Sequence, residues 1–166
     1  IIEAFTHRVF DVSSATVKKF DAQADVNGRV LSFTSGLELA AEPTAVANGD
    51  GTALVADTDY VVTPTNAYPA YGLTMLQSSS NYWQGKSNGD MINAISVTGK
   101  WGYTVSGSVP KDIVQAATRL SAFLYRQRDT NADTDRTVIV DGVTILPSSV
   151  PQDVKSMLSP YVMRVI

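Results

Sequence analysis

Cysteine is absent from the 166-residue chain, and His7 is its single histidine. The lack of cysteine excludes disulfides, thiolate catalysis and cysteine-ligated zinc, and it agrees with assembly in a reducing compartment. A histidine metal site or a Ser–His–Asp relay would depend on His7 alone, and the sequence contains no Gly-x-Ser-x-Gly elbow. We therefore expect a protein that is not an enzyme and carries no cofactor.

The sequence also lacks a long apolar run and an excess of positive charge. No apolar stretch approaches the roughly 20 residues that a membrane-spanning helix needs, and no signal-peptide pattern is visible. The net charge of −3 offers no basic footprint for holding nucleic acid, so any contact with DNA would be transient. The apolar fraction of 44% and the charged fraction of 17% are typical of a folded protein.

At the start of the chain, four apolar residues follow helical spacing, namely Ile1, Ile2, Phe5 and Val9. This spacing predicts the last turns of an amphipathic helix. We expect the beginning of that helix to lie upstream, because the sequence opens inside the pattern and without methionine.

A second helix of about 19 residues is predicted for residues 110–128. Pro110 suits the first turn, where no amide partner is lost, and Asp112 favours the positive end of the helix dipole. A similar pattern at Ser149–Val154 predicts a third, shorter helix that Pro160 ends. One face of the second helix is apolar and comprises Ile113, Ala116, Ala117, Leu120, Phe123 and Leu124.

Between these helices, from Thr16 to Tyr103, the hydrophobic pattern changes to that of β-strands. Polar turns such as Asn27-Gly28 and Asn48–Gly51 separate short runs rich in branched and aromatic side chains. Closely spaced strands of this kind predict a largely antiparallel sandwich or a small barrel. The predicted strands are Thr16–Ala22, Arg29–Phe33, Thr52–Val55, Tyr60–Thr63, Leu73–Gln77 and Ile95–Tyr103.

The C-terminal part of the chain contains a predicted hairpin and an apolar tail. The hairpin is predicted for Thr137–Leu146, because Asp141-Gly142 between branched runs suits a two-residue turn. The tail, Tyr161–Ile166, is mostly apolar and β-prone, and the sequence offers it no partner strand.

Two short motifs are similar to ligand-binding loops but lack the residues that complete them. Asp129–Asp135 spaces oxygen-bearing side chains as a calcium loop does, but Thr134 replaces the required glycine and Val140 the bidentate glutamate. Gly85-Lys86-Ser87 is similar to the end of a phosphate loop, but Ser80 stands where the earlier glycine is needed. We interpret the first motif as a solvated loop and the second as a turn.

The β region concentrates aromatic side chains, which are Tyr68, Tyr71, Tyr82, Trp83, Trp101 and Tyr103. Such residues carry the most area per side chain and suit packing in a core or an interface. Stacking on sugars or bases is the alternative, although few basic residues accompany these rings.

Taken in order, four stretches resemble the head–tail connector family of long-tailed bacteriophages, also called adaptor or head-completion proteins. The stretches are Ile2–Phe10; Asp59–Asn66 followed by Pro69; Val97–Tyr103; and a C-terminal series of Val109-Pro110, Ile113, Ala116, Tyr125, Arg128, Leu146-Pro147 and Tyr161. The resemblance covers nearly the whole chain. The sequence departs from the family in having no upstream helices and in its large β insertion.

The resemblance implies an α+β fold in which a helical connector core carries a large inserted antiparallel β sandwich or barrel-like lobe. Residues 1–15 and 106–166 would form the core, with the N-terminal helix remnant, the long and short C-terminal helices and the tail. Residues 16–105 would form the inserted lobe. Connectors that look like this form a ring, usually of about twelve copies, beneath the portal vertex. The ring extends the DNA channel and presents a platform to the stopper or tail.

The resemblance also implies roles for two sets of residues. The ring/core helix would use Ile113, Ala117, Leu120, Phe123, Leu124 and Arg128, held by the N-terminal helix and by Val154, Met157 and Leu158. The tail would dock on the portal protein through Tyr161, Val162, Met163, Arg164, Val165 and Ile166, since apolar residues are costly to leave in water.

Such a protein would lie in the virion neck, at the head–tail interface, after assembly in the host cytoplasm. Its partners would be further copies of itself, the portal protein, stopper or tail proteins and, in passing, double-stranded DNA. About twelve copies would sum to a charge of roughly −36, which repels phosphates and lets DNA slide.

Two other functions fit the same residues. A carbohydrate- or receptor-binding β module would use Tyr68, Tyr71, Trp83 and Trp101 as a stacking platform. A capsid or tail decoration protein would share the β-rich body and attach elsewhere on the particle.

Overall fold

The structure is a computed structural model that describes the chain except for residues 34–36, 66, 106, 130–137, 141–142, 146–149 and 164–166. For residues 127–129, 138–140 and 143–145 it describes the backbone alone. The helices are α1 (Ile2–Thr6), α2 (Lys111–Asp129) and α3 (Gln152–Leu158), and a 3-10 turn follows at Ser159–Tyr161. The strands are β1 (Thr16–Phe20), β2 (Val26–Asn27), β3 (Val30–Ser32), β4 (Ala45–Ala47), β5 (Ala53–Leu54), β6 (Tyr60–Thr63), β7 (Gly72–Met75), β8 (Ile95–Gly99), β9 (Val138–Val140) and β10 (Val143–Ile145).

Contacts divide the chain into two compact units. The helical unit comprises Ile1–Thr6 and Pro110–Val162, and the β unit comprises His7–Val109 together with Met163. The boundary near the N-terminus has a local cause, because His7 adopts a φ of 55°, in the left-handed region. The first helix therefore ends at Thr6, earlier than the apolar spacing through Val9 predicted.

The helical unit is built around α2, whose 19 residues confirm the predicted long helix. The backbone amides of Ile113 and Val114 both donate to the Pro110 carbonyl, at 3.1 and 3.2 Å, and so form the first turn that the proline was expected to start. The predicted third helix is also present as α3, which follows Pro151. The predicted hairpin is confirmed as an antiparallel pair in which Val140 faces Val143.

The β unit contains two four-stranded antiparallel sheets. One has the strand order β1-β8-β4-β5 and the other the order β2-β3-β7-β6. Leu39 links them, because it forms one isolated bridge with Ala70, next to β7, and another with Trp101, just beyond β8. The described residues contain no closed barrel.

Both sheets bury side chains in one hydrophobic core. Strand β8 shows the pattern clearly, since Ile95, Val97 and Gly99 are buried and the two residues between them are half-buried. A Cβ at Gly99 would lie 2.5 Å from Leu39 Cδ2, so a larger residue there would require the buried Leu39 side chain to shift. The core comprises Phe20, Leu31, Phe33, Leu39, Val46, Leu54, Tyr60, Ala70, Leu73, Met75, Trp83, Ile95 and Val97.

The predicted strands agree with the observed ones in kind and differ in their ends. Tyr60–Thr63 is found as predicted, whereas the strand predicted through Tyr103 ends at Gly99. The predictions miss β2 and β4 altogether. Strand β4 reads Ala-Val-Ala, a weak β sequence, and it is paired with β8 on one side and β5 on the other.

A buried aspartate fixes the turn between β5 and β6. Asp59 Oδ2 accepts a hydrogen bond from the Val55 amide at 2.9 Å, and Oδ1 accepts from Ser79 Oγ at 2.6 Å and from Asn81 Nδ2 at 2.8 Å. These hydrogen bonds, that of Ser79 foremost, lower the pKa of Asp59 below its ordinary value.

Replacing Asp59 with alanine is expected to lower the free energy of unfolding by about 2 kcal/mol at neutral pH, because three donors lose their charged acceptor. The folded-state pKa of Asp59 is depressed, so its contribution is present above the ordinary carboxyl pKa and lost as pH falls through the folded value. Urea denaturation at neutral and acidic pH measures both effects. The control is Asp50→Ala, which removes a fully exposed carboxylate bonded to Thr52. Equal losses in the two variants would contradict the prediction.

Candidate assembly surfaces

The predicted apolar face of α2 is largely used inside the helical unit. Ile113, Ala116 and Leu120 are buried, and α3 contributes Val154 and Leu158, both fully buried. Helices α2 and α3 pack against each other through these residues. Val154 and Leu158 thus lie against the long helix, and Met157, which was predicted with them, is half-buried.

The remaining residues predicted for the ring/core helix lie closer to the surface. Ala117 and Phe123 are half-buried, and Leu124 is 39% exposed. The side chain of Arg128 lies outside the described residues. The predicted set thus divides into a buried part that stabilises the unit and an outer part that is available to a neighbour.

An open apolar groove lies between α1 and α2 in the helical unit. It has a volume of about 400 Å³, and its walls include Ile2, Ala117 and Leu124. Elsewhere on the surface of α2, Val114 is 53% exposed and Tyr125 is 62% exposed. Exposed apolar area of this kind is typical of a surface that contacts another polypeptide.

The predicted tail begins inside the helical unit. The Tyr161 hydroxyl donates to Asp112 Oδ2 at 3.4 Å, and Tyr161 is half-buried. Val162 then adopts extended backbone angles, φ −67° and ψ 122°. Met163 is half-buried, and the tail residues Arg164, Val165 and Ile166 lie outside the described residues.

The two tryptophans of the aromatic cluster pack in or against the core of the β unit. Trp83 is 9% exposed and donates its indole N–H to the Arg29 carbonyl at 2.8 Å. Trp101 packs against Phe20 and Phe33, with ring centroids 5.7 and 5.0 Å away. Two of the four residues suggested as a sugar-stacking platform are thus committed to packing, while Tyr68 and Tyr71 remain 44% and 46% exposed.

A polar cavity of about 340 Å³ opens beside strand β6. We call it the acidic pocket and define it by Glu42, Asp57, Tyr60, Thr65 and Tyr68, which line it. Both carboxylates are on exposed residues, whereas Tyr60 is only 2% exposed and its ring belongs to the core. Burial, with smaller contributions from the nearby Glu42 and other groups, raises the pKa of Tyr60 to about 12. Tyr60 therefore stays a neutral hydroxyl at physiological pH.

Strand β1 is an edge strand of its sheet and is exposed at every residue except Phe20. It carries Lys18 and Lys19 side by side, and Val17 is 55% exposed. Its inner neighbour is β8, where Lys18 faces Val97 and Lys19 faces Ser96. We call Lys18 and Lys19 the basic strand.

The described residues contain no group of three or more His, Asp or Glu side chains placed to hold a metal ion. His7 is exposed, and the segment Asp129–Asp135 that is similar to a calcium loop lies almost wholly outside the description. Gly85-Lys86-Ser87 leads into a turn closed by a hydrogen bond from the Gly89 amide to the Lys86 carbonyl, as predicted. None of the described helices has the length and apolarity to cross a membrane.

Sequence reasoning missed the acidic pocket. Its carboxylates and tyrosines come from three separate stretches of chain, and only folding brings them together. The one available signal was local, since Asp57, Asp59 and Tyr60 are close in sequence.

Neither a protein-family model nor a curated protein matches the sequence. Among solved structures, the fold is similar to that of a chain in the neck of a native GTA particle, computed with C12 symmetry. The TM-score is 0.58 and the sequence identity 17%, and the similarity covers 99% of this chain and 77% of that chain. At this identity the similarity establishes a common fold.

Proposed function

We propose that this protein is a structural component of the neck of a virion or virion-like particle. On this proposal it forms a ring adaptor between the portal vertex of the capsid and the stopper or tail, and the ring extends the DNA channel. The observation that carries the proposal is the similarity, over 99% of the chain, to a chain from the neck of a GTA particle. A gene transfer agent is a phage-like particle, so the neighbour and the sequence resemblance point to the same kind of assembly.

Two further observations support the proposal. The neighbouring neck structure has C12 symmetry, which agrees with a ring of twelve copies. The helical unit also keeps apolar side chains exposed on α2, including Val114, Leu124 and Tyr125, where adjacent copies of a ring would need contact area.

The proposed partners are further copies of this chain, the portal protein, and stopper or tail proteins. The proposed place is the virion neck, after assembly in the host cytoplasm. Double-stranded DNA would pass through the ring without being held, since about twelve copies sum to roughly −36. Retention of DNA by the purified ring at low salt would contradict this last point.

The purified chain, alone or mixed with the cognate portal protein, is expected to form a closed ring of about 214 kDa, which is twelve times its mass of 17.8 kDa. Native mass spectrometry gives the copy number, and negative-stain electron microscopy shows whether the ring is closed and coaxial with the portal. A chain that stays monomeric at high concentration and does not bind the portal would overturn the proposal. Attachment to the capsid or tail surface instead would favour a decoration protein.

A further inference from the structure

The acidic pocket contains two carboxylates, those of Glu42 and Asp57. Neither Glu42 nor Asp57 forms an ion pair with any residue that the structure describes. The walls add the aromatic ring of Tyr68, and a ring face together with carboxylates suits an ammonium or guanidinium group. A volume of about 340 Å³ is enough for the head of one such side chain.

Tyr60 gives an independent indication that the pocket takes a ligand. Its side chain is 98% buried, its ring packs in the core, and it lines the pocket. Within the described part of the chain no group hydrogen-bonds to its hydroxyl. The hydroxyl is reached by solvent from the pocket, so it can accept a hydrogen bond from a cationic group bound there.

The basic strand offers the complementary chemistry on the same unit. Lys18 and Lys19 are exposed, and neither forms an ion pair with a described residue. Consecutive residues of a strand project to opposite faces of the sheet, so Lys18 and Lys19 place one positive charge on each face of this exposed edge.

The sheet order places the two sites on opposite sides of the β unit. The basic strand is β1, at one edge of the sheet β1-β8-β4-β5. The pocket begins directly after β5, at the other edge, since Ala56 and Asp57 form part of its wall. Three strand spacings of about 4.8 Å separate the two edges by roughly 14 Å. The basic strand and the end of β5 therefore lie at opposite edges of that sheet.

We propose that the acidic pocket of one copy binds the basic strand of the next copy, so that Lys18 or Lys19 enters between Glu42, Asp57 and Tyr60. This inference rests on the proposed ring. A closed ring needs two different complementary patches on each copy, joined head to tail. Unpaired acidic and basic sites at opposite edges of one unit meet that requirement.

A different role for the lysines makes a different prediction. Lysine on an edge strand also prevents strands of separate molecules from pairing. In that role the lysines would have no specific partner, and reversing their charge would leave association unchanged or merely slow aggregation.

Zero-length carbodiimide cross-linking tests the contact directly. Isotopically light and heavy copies of the full chain are mixed at low salt and cross-linked, and the products are digested and identified by mass spectrometry. We expect light–heavy peptides that join Lys18 or Lys19 to Glu42 or Asp57. Intermolecular cross-links confined to other lysines, with none to the pocket carboxylates, would overturn the inference.

Charge reversal tests the energetics. K18E/K19E and E42K/D57N are each expected to weaken self-association by about tenfold or more, in the range measured for close interfacial charge pairs. Asparagine is used at position 57 because it tolerates the φ of 60° found there. Mixing the two variants, or combining the four substitutions in one chain, should restore most of the association. The matched control K86E/K100E makes the same change in net charge as K18E/K19E at other lysines of the β unit and should have little effect.

The conservative variant Y60F retains the buried ring and removes the hydroxyl alone. It is expected to weaken self-association while leaving the melting temperature of the monomer close to that of the wild type. Sedimentation velocity measures association for every variant.

The outcomes separate this inference from the proposed function. If the wild type forms rings and the reversed variants form them equally well, the inference is wrong and the proposed function stands. If the wild type binds no partner and does not self-associate, both are wrong. Loss of association in each reversed variant, with recovery on mixing, supports the inference.

Discussion

Replacing Arg8 with methionine is expected to lower the free energy of unfolding by about 3–5 kcal/mol, because it leaves a buried carboxylate without its partner. Arg8 Nη1 lies 2.5 Å from Glu38 Oε2, and the two side chains are only 11% and 2% exposed. Methionine keeps most of the aliphatic length, so the main loss is that of the charge. Arg8 also lies over the Tyr103 ring, 4.7 Å from its centroid, which adds a smaller contribution.

The loss in the Arg8 variant should depend on pH in a defined direction. Burial raises the pKa of Glu38 above its ordinary value, although the Arg8 charge and hydrogen bond act in the opposite sense. Replacing Arg8 removes the positive charge and the hydrogen bond that lower the pKa of Glu38, so this pKa rises further. A carboxyl with a raised folded-state pKa stabilises the fold below its unfolded pKa, and this stabilisation is lost as pH rises through the folded value. The variant should therefore be more stable in mild acid than at neutral pH, the reverse of the behaviour expected for Asp59.

Two controls isolate the buried charge as the cause. The double variant R8M/E38Q should recover much of the lost stability, since it removes both charges from the interior. R119M breaks the Arg119–Asp153 pair, whose groups are 2.7 Å apart but about half exposed, and should cost far less. Urea denaturation over a range of pH measures all three variants. A pH-independent loss in R8M, equal to that in R119M, would show that Glu38 does not carry an unpaired charge.

The helical unit could be predicted from the sequence because its determinants are local. Pro110 marks where α2 begins, and residues three and four positions apart, such as Ile113, Ala116 and Leu120, form its buried face. The same reasoning was weaker at the N-terminus. There Val9 continued the apolar spacing, but the left-handed conformation of His7 ends the helix.

The sequence predicted that the β unit consists of antiparallel strands, but it predicted the number of strands and their ends less accurately. Strand β6 was found because Tyr-Val-Val-Thr has strong β propensity between turns. Strand β4 was missed because its Ala-Val-Ala sequence depends on β8 and β5 for stability, and those partners are distant in sequence. We propose that the helical core with an inserted β lobe is an arrangement shared with head–tail connectors. The fold in common with a chain from the neck of a GTA particle supports this proposal.

The candidate sites also differ in whether local sequence or the meeting of distant residues determines them. Helical periodicity placed Leu124 on the same apolar face as Ile113 and Leu120, whereas the structure leaves Leu124 39% exposed. The acidic pocket depends on strand register and on a loop that returns Glu42 to the side of Tyr60 and Tyr68. No local pattern encodes such a meeting of distant residues. The pair of Arg8 and Glu38, 30 residues apart, was invisible for the same reason.

Deleting residues 162–166 is expected to abolish binding to the portal protein and to leave the helical unit folded. The deletion begins after Tyr161 because that side chain is half-buried and hydrogen-bonded to Asp112 within the unit. Val162 has extended backbone angles, and the sequence Val-Met-Arg-Val-Ile is mostly apolar and β-prone, as a strand added to a partner's sheet edge requires. A ring presents many tails at once, so removing all of them should reduce portal affinity by about a hundredfold or more.

A length-matched variant separates the tail's side chains from its mere presence. Changing Val162, Val165 and Ile166 to serine keeps the backbone and its amide groups but removes most of the apolar area. If side-chain pockets on the portal give affinity, this variant should bind nearly as poorly as the deletion. If backbone pairing dominates, it should retain an intermediate affinity. Circular dichroism and the melting temperature check that both variants remain folded, and surface plasmon resonance against immobilised portal measures binding. Unchanged portal binding by the folded deletion variant would remove the tail from the proposed interface and move the contact to the exposed face of α2.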